Sequence, residues 1–195
     1  MRKILTKDQQ KKKDRVNQII IGVLLIGLML FSTAGYALGG GEESSNDEVE
    51  YNGITFTRSS DYWNFNYNGQ SFNTLYNPLE LSDLSVNVQM RLQDYSQQPL
   101  YLAGEISEPA YEIVRNLNPF LLRINEACLP DTNCSEDYPI KNVSVDNIIA
   151  IREPLEGEGE EIYQEGKAIF IIASYGNQSK YADAFLFSVL GINNL

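Results

Sequence analysis

The sequence predicts an α+β protein with an N-terminal transmembrane helix, a flexible linker and one domain. In that domain an antiparallel β-meander and a mixed sheet are packed by two or three helices. Three observations lead to this prediction. Residues 19–38 carry no charged side chain. Aromatic and polar residues alternate on both sides of an Asn68-Gly69 pair. Two later and mostly apolar runs, residues 147–151 and 168–173, have the composition of buried strands.

The N-terminal region has the charge pattern of a single-pass membrane protein. Residues 1–15 contain seven basic and two acidic side chains, a net charge of +5, whereas the other 180 residues contribute −16 to the total of −11. A helix of residues 19–38 would be about 30 Å long, which matches the hydrocarbon core of a bilayer. Basic flanks stay in the cytoplasm. We therefore expect residues 1–18 to form a cytoplasmic tail and the C-terminal domain to be extracytoplasmic.

A cleaved signal peptide is the alternative to a retained anchor. Its apolar stretch would be residues 19–31, and the following Gly35-Tyr36-Ala37 triplet resembles a cleavage site. Cleavage near Ala37 would release a secreted domain. The long basic segment and the twenty uncharged residues favour the anchor.

A flexible linker is predicted between the membrane and the domain. Residues 39–50 are rich in glycine, serine and acidic side chains, so they bury too little apolar surface to become ordered. The folded domain then spans residues 51–195, which is long enough for one hydrophobic core.

The domain begins with a predicted three-stranded meander between Tyr51 and Asn77. Its strands are expected around residues 54–57, 63–67 and 72–76, with a first turn at residues 59–61. The Asn68-Gly69 pair predicts a type I′ turn between the second and third strands.

The middle of the domain predicts two further strands and a helix. The strands are expected at residues 86–92 and 99–103. Ser107 is suited to cap a helix that starts at Glu108 and is interrupted by Asn118-Pro119. Residues 120–127 fit either a second helix or a strand.

The last third predicts the centre of the mixed sheet and a closing helix. The apolar runs 147–151 and 168–173 are typical of strands covered on both faces. The acidic segment 153–161 between them predicts a solvated loop. Ser179 is the predicted cap of the last helix, and Gly191 is its predicted end.

Composition excludes several kinds of activity. The chain has no histidine, which removes histidine-based catalysis and histidine metal ligands. Its pI near 4.4 opposes binding to nucleic acid. The common nucleophile and phosphate-binding motifs are missing, so we predict no catalytic residue, no metal ligand and no cofactor. A carboxylate-dependent hydrolase of envelope glycan needs no histidine and stays open as an alternative.

Two cysteines, Cys128 and Cys134, enclose a short loop. A disulfide is the expected state for such a pair outside the cytoplasm. The spacing differs from the C-x-x-C of redox-active pairs, so the pair is predicted to be structural.

Three triplets have the sequence of N-glycosylation sites, at Asn133, Asn142 and Asn177. Asn142 and Asn177 are the better candidates. Asn133 lies inside the predicted disulfide loop, and Ser179 of the Asn177 triplet is a predicted helix cap.

Trp63, Phe65 and Tyr67 alternate along one predicted strand. Such rings can form a surface for stacking sugars. The same alternation is typical of a half-buried meander that packs on a core, and core packing is the favoured interpretation.

Several segments resemble a group of uncharacterised single-pass membrane proteins from small-genome archaea. The segments are YNGITF, AYEIVRNLN, the C-x5-C loop, VDNIIAIRE, IYQEGKAIFI and ADAFLFSVLGI, in that order behind a basic and apolar N terminus. The resemblance implies an envelope location and a disulfide. It implies no activity and no functional residue.

These observations together predict a membrane-anchored extracytoplasmic module that binds or organises envelope components without catalysing a reaction. Its partners would be the membrane, through residues 19–38, and an envelope protein or glycan. A charge of −16 is repelled by anionic headgroups, so the domain should stand away from the lipid surface.

Overall fold

The structure is a computed structural model that describes residues 15–29, 47–104, 106–130, 132, 134 and 137–192. The chain divides into two compact units, residues 1–45 and 46–195. Each unit is described by itself.

The first unit contains one described helix, α1, over residues 15–29. Its large apolar side chains are exposed, from 53% at Val16 to 73% at Met29. Within the described residues, no helix has the length and apolar character needed to cross a bilayer. Of the predicted anchor, residues 30–38 lie outside the described part of the chain, as do residues 1–14 of the predicted tail.

The second unit begins with a four-stranded antiparallel sheet in the order β1-β2-β3-β4. Its strands are β1 (Glu48–Tyr51), β2 (Ile54–Ser59), β3 (Tyr62–Tyr67) and β4 (Gln70–Thr74). The predicted Asn68-Gly69 turn is confirmed, because both residues have positive φ, 50° and 78°.

The first strand corrects the predicted three-stranded meander and the predicted linker, residues 39–50. Residues 48–50 pair with β2, and residues 39–46 lie outside the described part of the chain. The strand forms because Val49 and Tyr51 pack against the core while Glu48 and Glu50 stay exposed. This alternation gives an acidic segment one apolar face.

The second sheet is mixed and has six strands in the order β5-β9-β10-β8-β6-β7. The strands are β5 (Val86–Asn87), β6 (Pro99–Gly104), β7 (Arg123–Ala127), β8 (Asn147–Arg152), β9 (Glu161–Glu165) and β10 (Ala168–Ile172). Only β9 and β10 pair antiparallel; the other neighbours are parallel. The two predicted central strands are confirmed as the adjacent strands β8 and β10. The alternative left open for residues 120–127 is a strand, β7, preceded by a 3₁₀ helix over Asn118–Phe120.

The strand predicted at residues 86–92 is wrong beyond Asn87. The side-chain oxygen Oε1 of Gln164 accepts hydrogen bonds from the backbone N–H groups of Gln89 and Met90, at 2.8 and 3.2 Å. These N–H groups therefore leave the sheet ladder. A short helix, α2 (Leu92–Tyr95), follows directly.

Two longer helices complete the unit, α3 (Glu108–Leu117) and α4 (Gln178–Leu190). The start of α3 after Ser107 is as predicted, although the Ser107 hydroxyl makes no capping bond. The cap predicted at Ser179 is wrong, because α4 begins at Gln178, directly after Asn177. The predicted end at Gly191 is confirmed by its left-handed conformation, φ 73°.

The hydrophobic core lies between the two sheets and around α4. The ring of Phe187 on α4 is 5.9 Å from that of Phe56 and 5.7 Å from that of Phe65, which belong to the first sheet. On the other side, α4 packs against β5, β9 and β10. Eleven of the thirteen α4 residues are buried, so this helix is the central layer of the domain.

The turn between β9 and β10 gives a test of how tightly the mixed sheet is covered. A Cβ added at Gly166 would lie 2.6 Å from the carbonyl oxygen of Val143 and 2.8 Å from the Cα of Ser144. Gly166→Ala should therefore destabilise the fold by about 2–4 kcal/mol, from backbone strain plus overpacking. Gly69→Ala is the matched control, since φ is positive there and no atom lies within 4 Å of the added Cβ. Denaturant unfolding of both variants measures the difference, and equal losses would contradict the packing argument.

A candidate binding groove on the second face of the mixed sheet

The two faces of the mixed sheet carry side chains of different size. On the first face, residues such as Ile149 and Ile169 pack into the main core against α3 and α4. On the second face, three alanines stand in register on adjacent strands: Ala127 on β7 pairs with Ala103 on β6, which pairs with Ala150 on β8. We call Ala103, Ala127 and Ala150 the alanine row. Because each presents only a methyl group, the row forms a shallow trough in the sheet.

A segment that we call the strap, described at residues 128–130, 132, 134 and 137–146, runs over this second face. The Cys128 N–H donates to the Pro139 carbonyl at 3.1 Å, and the Lys141 N–H donates to the Cys128 carbonyl at 2.9 Å. Leu129 and Val143 pack against the second-face cluster. The strap is therefore held by backbone bonds near its start and by apolar contacts on both sides of the trough.

The predicted disulfide is present within the strap. Cys128 and Cys134 are bonded, and their Cα atoms are 6.0 Å apart. Cys128 directly follows the alanine row on β7 and is buried. The disulfide thus ties Cys134 back to the start of the strap, next to the floor of the trough.

A groove of about 550 Å³ remains between the alanine row and the strap. Its lining residues are Ala103, Gly104, Ala127, Cys128, Leu129, Thr132, Cys134, Tyr138, Ala150, Ile151, Arg152 and Phe170. The groove lies at the carboxyl ends of the parallel strands β6, β7 and β8, which is where sheets with parallel strands usually bind ligands.

The wall of the groove on the β10 side is aromatic. Phe170 stands next to Ala150 in register, and its ring stacks on that of Tyr163 with centroids 5.0 Å apart. Across the second face, the methyl groups of the alanine row are thus followed by the rings of Phe170 and Tyr163. This step in side-chain size sets the depth of the trough.

A second depression of about 680 Å³ adjoins the groove at Tyr138. It is lined by Tyr101, Arg123, Asn125, Glu126, Tyr138, Pro139 and Lys141. The buried Tyr101 accepts a hydrogen bond from Nη2 of Arg123 at 3.4 Å, and Nζ of Lys141 lies 4.0 Å from its ring centroid. Lys141, and secondly Arg123, lower the pKa of the Tyr101 phenol, while the pKa of Lys141 is raised by Tyr101. This end of the face is therefore cationic.

The cation at the other end is already paired. Arg152 donates to both carboxylate oxygens of Glu158, at 2.6 and 2.7 Å. The same guanidinium lowers the pKa of Glu158 to about 2. The two ends of the second face thus differ in available positive charge.

The candidate glycosylation sites have different surroundings. Asn142 is exposed on the strap, where its side-chain oxygen accepts from the Ser144 N–H at 2.8 Å. Asn177 is also exposed, but its side-chain nitrogen donates to both carboxylate oxygens of Glu160. Asn133 lies outside the described residues. The amide nitrogen that would carry a glycan is thus already engaged at Asn177.

The aromatic residues considered as a contact surface mostly belong to the core. Trp63 and Phe65 are each 3% exposed, and Tyr67 is half-buried. The core-packing interpretation of this strand is therefore correct, and a stacking platform of these rings is not present.

A pair of carboxyl groups lies between α3 and α4. Glu112 and Asp183 are 3% and 0% exposed. Oδ2 of Asp183 accepts from the N–H groups of Leu75 and Tyr76, both at 2.9 Å, and the Leu75 N–H also reaches Oε1 of Glu112 at 3.1 Å. This burial leaves no space for a substrate between the two acids, so the pair does not fit the carboxylate pair of a hydrolase.

The burial of this pair shifts the titration of both acids. Oε2 of Glu112 and Oδ1 of Asp183 are buried without another partner. Burial, and then the charge of Glu112, raise the pKa of Asp183 well above its usual value, and burial also raises the pKa of Glu112. Both shifts favour the protonated carboxyl forms of this pair over the carboxylates.

The alanine row and the cationic end were missed by sequence reasoning. Each alanine can be read from the sequence of its own strand. Their register across three strands depends on the strand order of the sheet, which the sequence does not give. The same holds for Arg123 and Lys141, which meet at Tyr101 from distant parts of the chain.

The chain matches no protein-family model, no curated protein and no solved structure. The resemblance to single-pass archaeal membrane proteins therefore stays a prediction. Among the described residues, no group of three or more acidic or cysteine side chains is placed to hold a metal ion.

The buried carboxyl pair gives a pH-dependent prediction. Because the folded-state pKa values of both acids are raised, this pair binds more protons in the folded than in the unfolded chain, and its contribution to stability falls as pH rises above about 4. Asp183→Asn keeps both the acceptor for the two N–H groups and a donor for Glu112 but cannot ionise. It should therefore lose less stability between pH 5 and pH 8 than the original chain.

Denaturant unfolding at a series of pH values measures this effect. Asp83→Asn, a change at an exposed acid, is the matched control and should leave the pH dependence as it is. Asp183→Ala should lose about 2 kcal/mol at pH 4, because the buried Tyr76 N–H loses its acceptor and the Leu75 N–H keeps only Glu112. An equally steep pH dependence in Asp183→Asn would show that Asp183 holds no proton.

Proposed function

We propose that the chain is a membrane-tethered extracytoplasmic binding module without catalytic activity, and that the groove under the strap is its ligand site. The observation that carries the proposal is the alanine row, three small residues in register beneath a strap closed by a disulfide.

The size of the groove supports a ligand site. A volume of about 550 Å³ lies within the range of small-molecule sites, about 300–1,000 Å³. Side chains of ordinary size at the alanine row would fill this space and bury more apolar surface. The sequence instead leaves it open next to two aromatic rings, at some cost in packing energy.

The groove is built on rigid elements, which supports a role in ligand binding. Its floor is built on sheet strands, and its roof is fixed by the disulfide and by backbone hydrogen bonds. A site built on rigid elements loses little conformational entropy when the ligand binds. The described lining residues are mostly apolar or aromatic, and Arg152 is ion-paired. Side chains of this kind bind a ligand rather than react with it.

The membrane tether is supported by the charge pattern and by the exposed side chains of α1. Basic residues precede an uncharged segment of twenty residues. The apolar side chains of the described part are more than half exposed, from Val16 to Met29, which favours lipid or another apolar partner over water. The envelope location implied by the resemblance agrees with this proposal. Cleavage near Ala37 would give the same module in secreted form.

Filling the groove tests the binding proposal. Naphthalene-2-methanol, an uncharged aromatic probe, should bind the full-length chain saturably in titration calorimetry, with the chain in lipid nanodiscs and empty nanodiscs as reference. Ala150→Leu should weaken this binding at least tenfold, because the added side chain occupies the trough. Asn64→Leu adds the same side chain on the exposed face of β3 and is the matched control.

Two results would overturn the proposal. One is saturable binding that Ala150→Leu leaves unchanged, and the other is no binding of the probe to a chain with an intact melting transition. Ala103→Val, a smaller change on the same row, replaces Ala150→Leu if the latter does not fold.

Glycosylation tests the extracytoplasmic placement. In a host that has oligosaccharyl transferase, we expect Asn142 of the full-length chain to be modified, because it is exposed on the strap. Mass spectrometry should show that Asn142→Gln removes this glycan and that Asn177→Gln keeps it, since the Asn177 amide is bound to Glu160. An unmodified Asn142 in the membrane fraction of that host would contradict the proposed topology.

A further inference from the structure

We infer that the ligand of the groove is an amphipathic organic anion. Its apolar body would lie on the alanine row, and its anionic group would bind at the donor cluster, which we define as Tyr101, Arg123 and Lys141. This inference rests on the proposed function and specifies the ligand class.

The donor cluster and the alanine row belong to one continuous surface. Tyr101 and Ala103 are two residues apart on β6 and face the same side of the sheet. At about 3.3 Å of rise per residue, their positions are about 7 Å apart. Tyr138 of the strap borders both the groove and the cationic depression. One small molecule can therefore reach both parts.

The donor cluster has spare hydrogen-bond donors. The side chain of Arg123 makes its described bond to the Tyr101 hydroxyl, and no carboxylate of the described residues forms an ion pair with it. Toward the described residues, the other N–H groups of this guanidinium make no hydrogen bond. The Tyr101 oxygen accepts from Arg123, so its own O–H can donate to a ligand.

Side chains around the donor cluster also affect its charge. Asn125 stands in register beside Tyr101 and can add amide donors. Lys141 lies 3.6 Å from Asp146, which neutralises part of its charge. Glu126 also lines the depression, but it alternates with Asn125 along β7 and so has the strand parity of the first face. The balance on the second face therefore favours an anion.

The direction of the ligand follows from the two ends of this surface. Arg152 at one end is bound by both oxygens of Glu158, whereas Arg123 at the other end has a neutral partner. On a chain with a net charge of −11, this local excess of donors is a specific attraction for a negative group. The anionic group therefore lies at Tyr101 and the apolar part extends toward Phe170.

Two probes with the same aromatic body test the inference, one with a neutral and one with an anionic head group. Naphthalene-2-sulfonate should bind the full-length chain in nanodiscs about tenfold more tightly than naphthalene-2-methanol, with empty nanodiscs as reference. Arg123→Gln and Lys141→Gln should each remove most of this preference, because they weaken the binding of the sulfonate more than that of the alcohol. Arg58→Gln is the matched control, because Arg58 lies over Trp63 in the other sheet, and it should leave both affinities unchanged.

The outcomes separate this inference from the proposed function. If the alcohol binds and the sulfonate binds no more tightly, the anion assignment fails while the groove stands. If Arg123→Gln and Lys141→Gln weaken both probes equally, the cluster supports the groove structurally and the assignment also fails. If neither probe binds, the proposed function itself fails. Arg123 is exposed, so Arg123→Gln is expected to fold and to give a clear result.

Discussion

The domain depends on buried side chains of α3 and α4 that bind the backbone at the end of β4. Asn116 accepts from the N–H of Asn73 at 3.0 Å and donates to its carbonyl at 2.7 Å, as a neighbouring strand would. Asp183 accepts hydrogen bonds from the N–H groups of Leu75 and Tyr76, the two residues that directly follow β4. Buried N–H groups without acceptors would cost about 1–3 kcal/mol each. These bonds connect the first sheet to the helical layer through fixed geometry rather than through apolar contact alone.

The same junction explains why the mixed sheet has one large-residue face and one small-residue face. With α4 held between the sheets, the first face of β8 and β10 can bury isoleucines against a fixed partner. The second face is covered by the strap instead of a helix. Because the strap is loop backbone, its N–H and C=O groups need hydrogen-bond partners more than apolar contacts. The central strands β8 and β10 bury isoleucines such as Ile149 and Ile169 on the first face, and on the second face they place Ala150 and Ala168 beside Ile148 and Phe170. The groove is a result of this division.

Local patterns in the sequence were enough for several elements. The Asn68-Gly69 turn, the paired strands β8 and β10, and the start of α3 all depend on residues that are close in sequence. Strand β1 was missed because its acidic composition hides an alternation, although Asn52-Gly53 gives it the same turn geometry, with φ of 51° and 75°. The early end of β5 depends on Gln164, which is far away in sequence. No local pattern reports such a contact.

The candidate site was less predictable than the fold for the same reason. The disulfide pair is a local feature and was expected. The alanine row is assembled by the strand order β8-β6-β7, which requires two crossovers. A buried acid such as Asp183, on an apolar helix, has the appearance of a solvent-facing position in the sequence. Its role becomes visible only when the chain segment that it binds is in place.

The acidic residues of β1 have a further consequence for how copies of the chain meet one another. β1 is at the border of its sheet, where unpaired backbone groups invite strands from other molecules. Glu48 and Glu50 place like charges along that border, so two such borders repel when they approach. In the mixed sheet, the edge strand β5 has only two residues with which another strand could pair. The edges at β1 and β5 are thereby poor templates for the strands of neighbouring molecules.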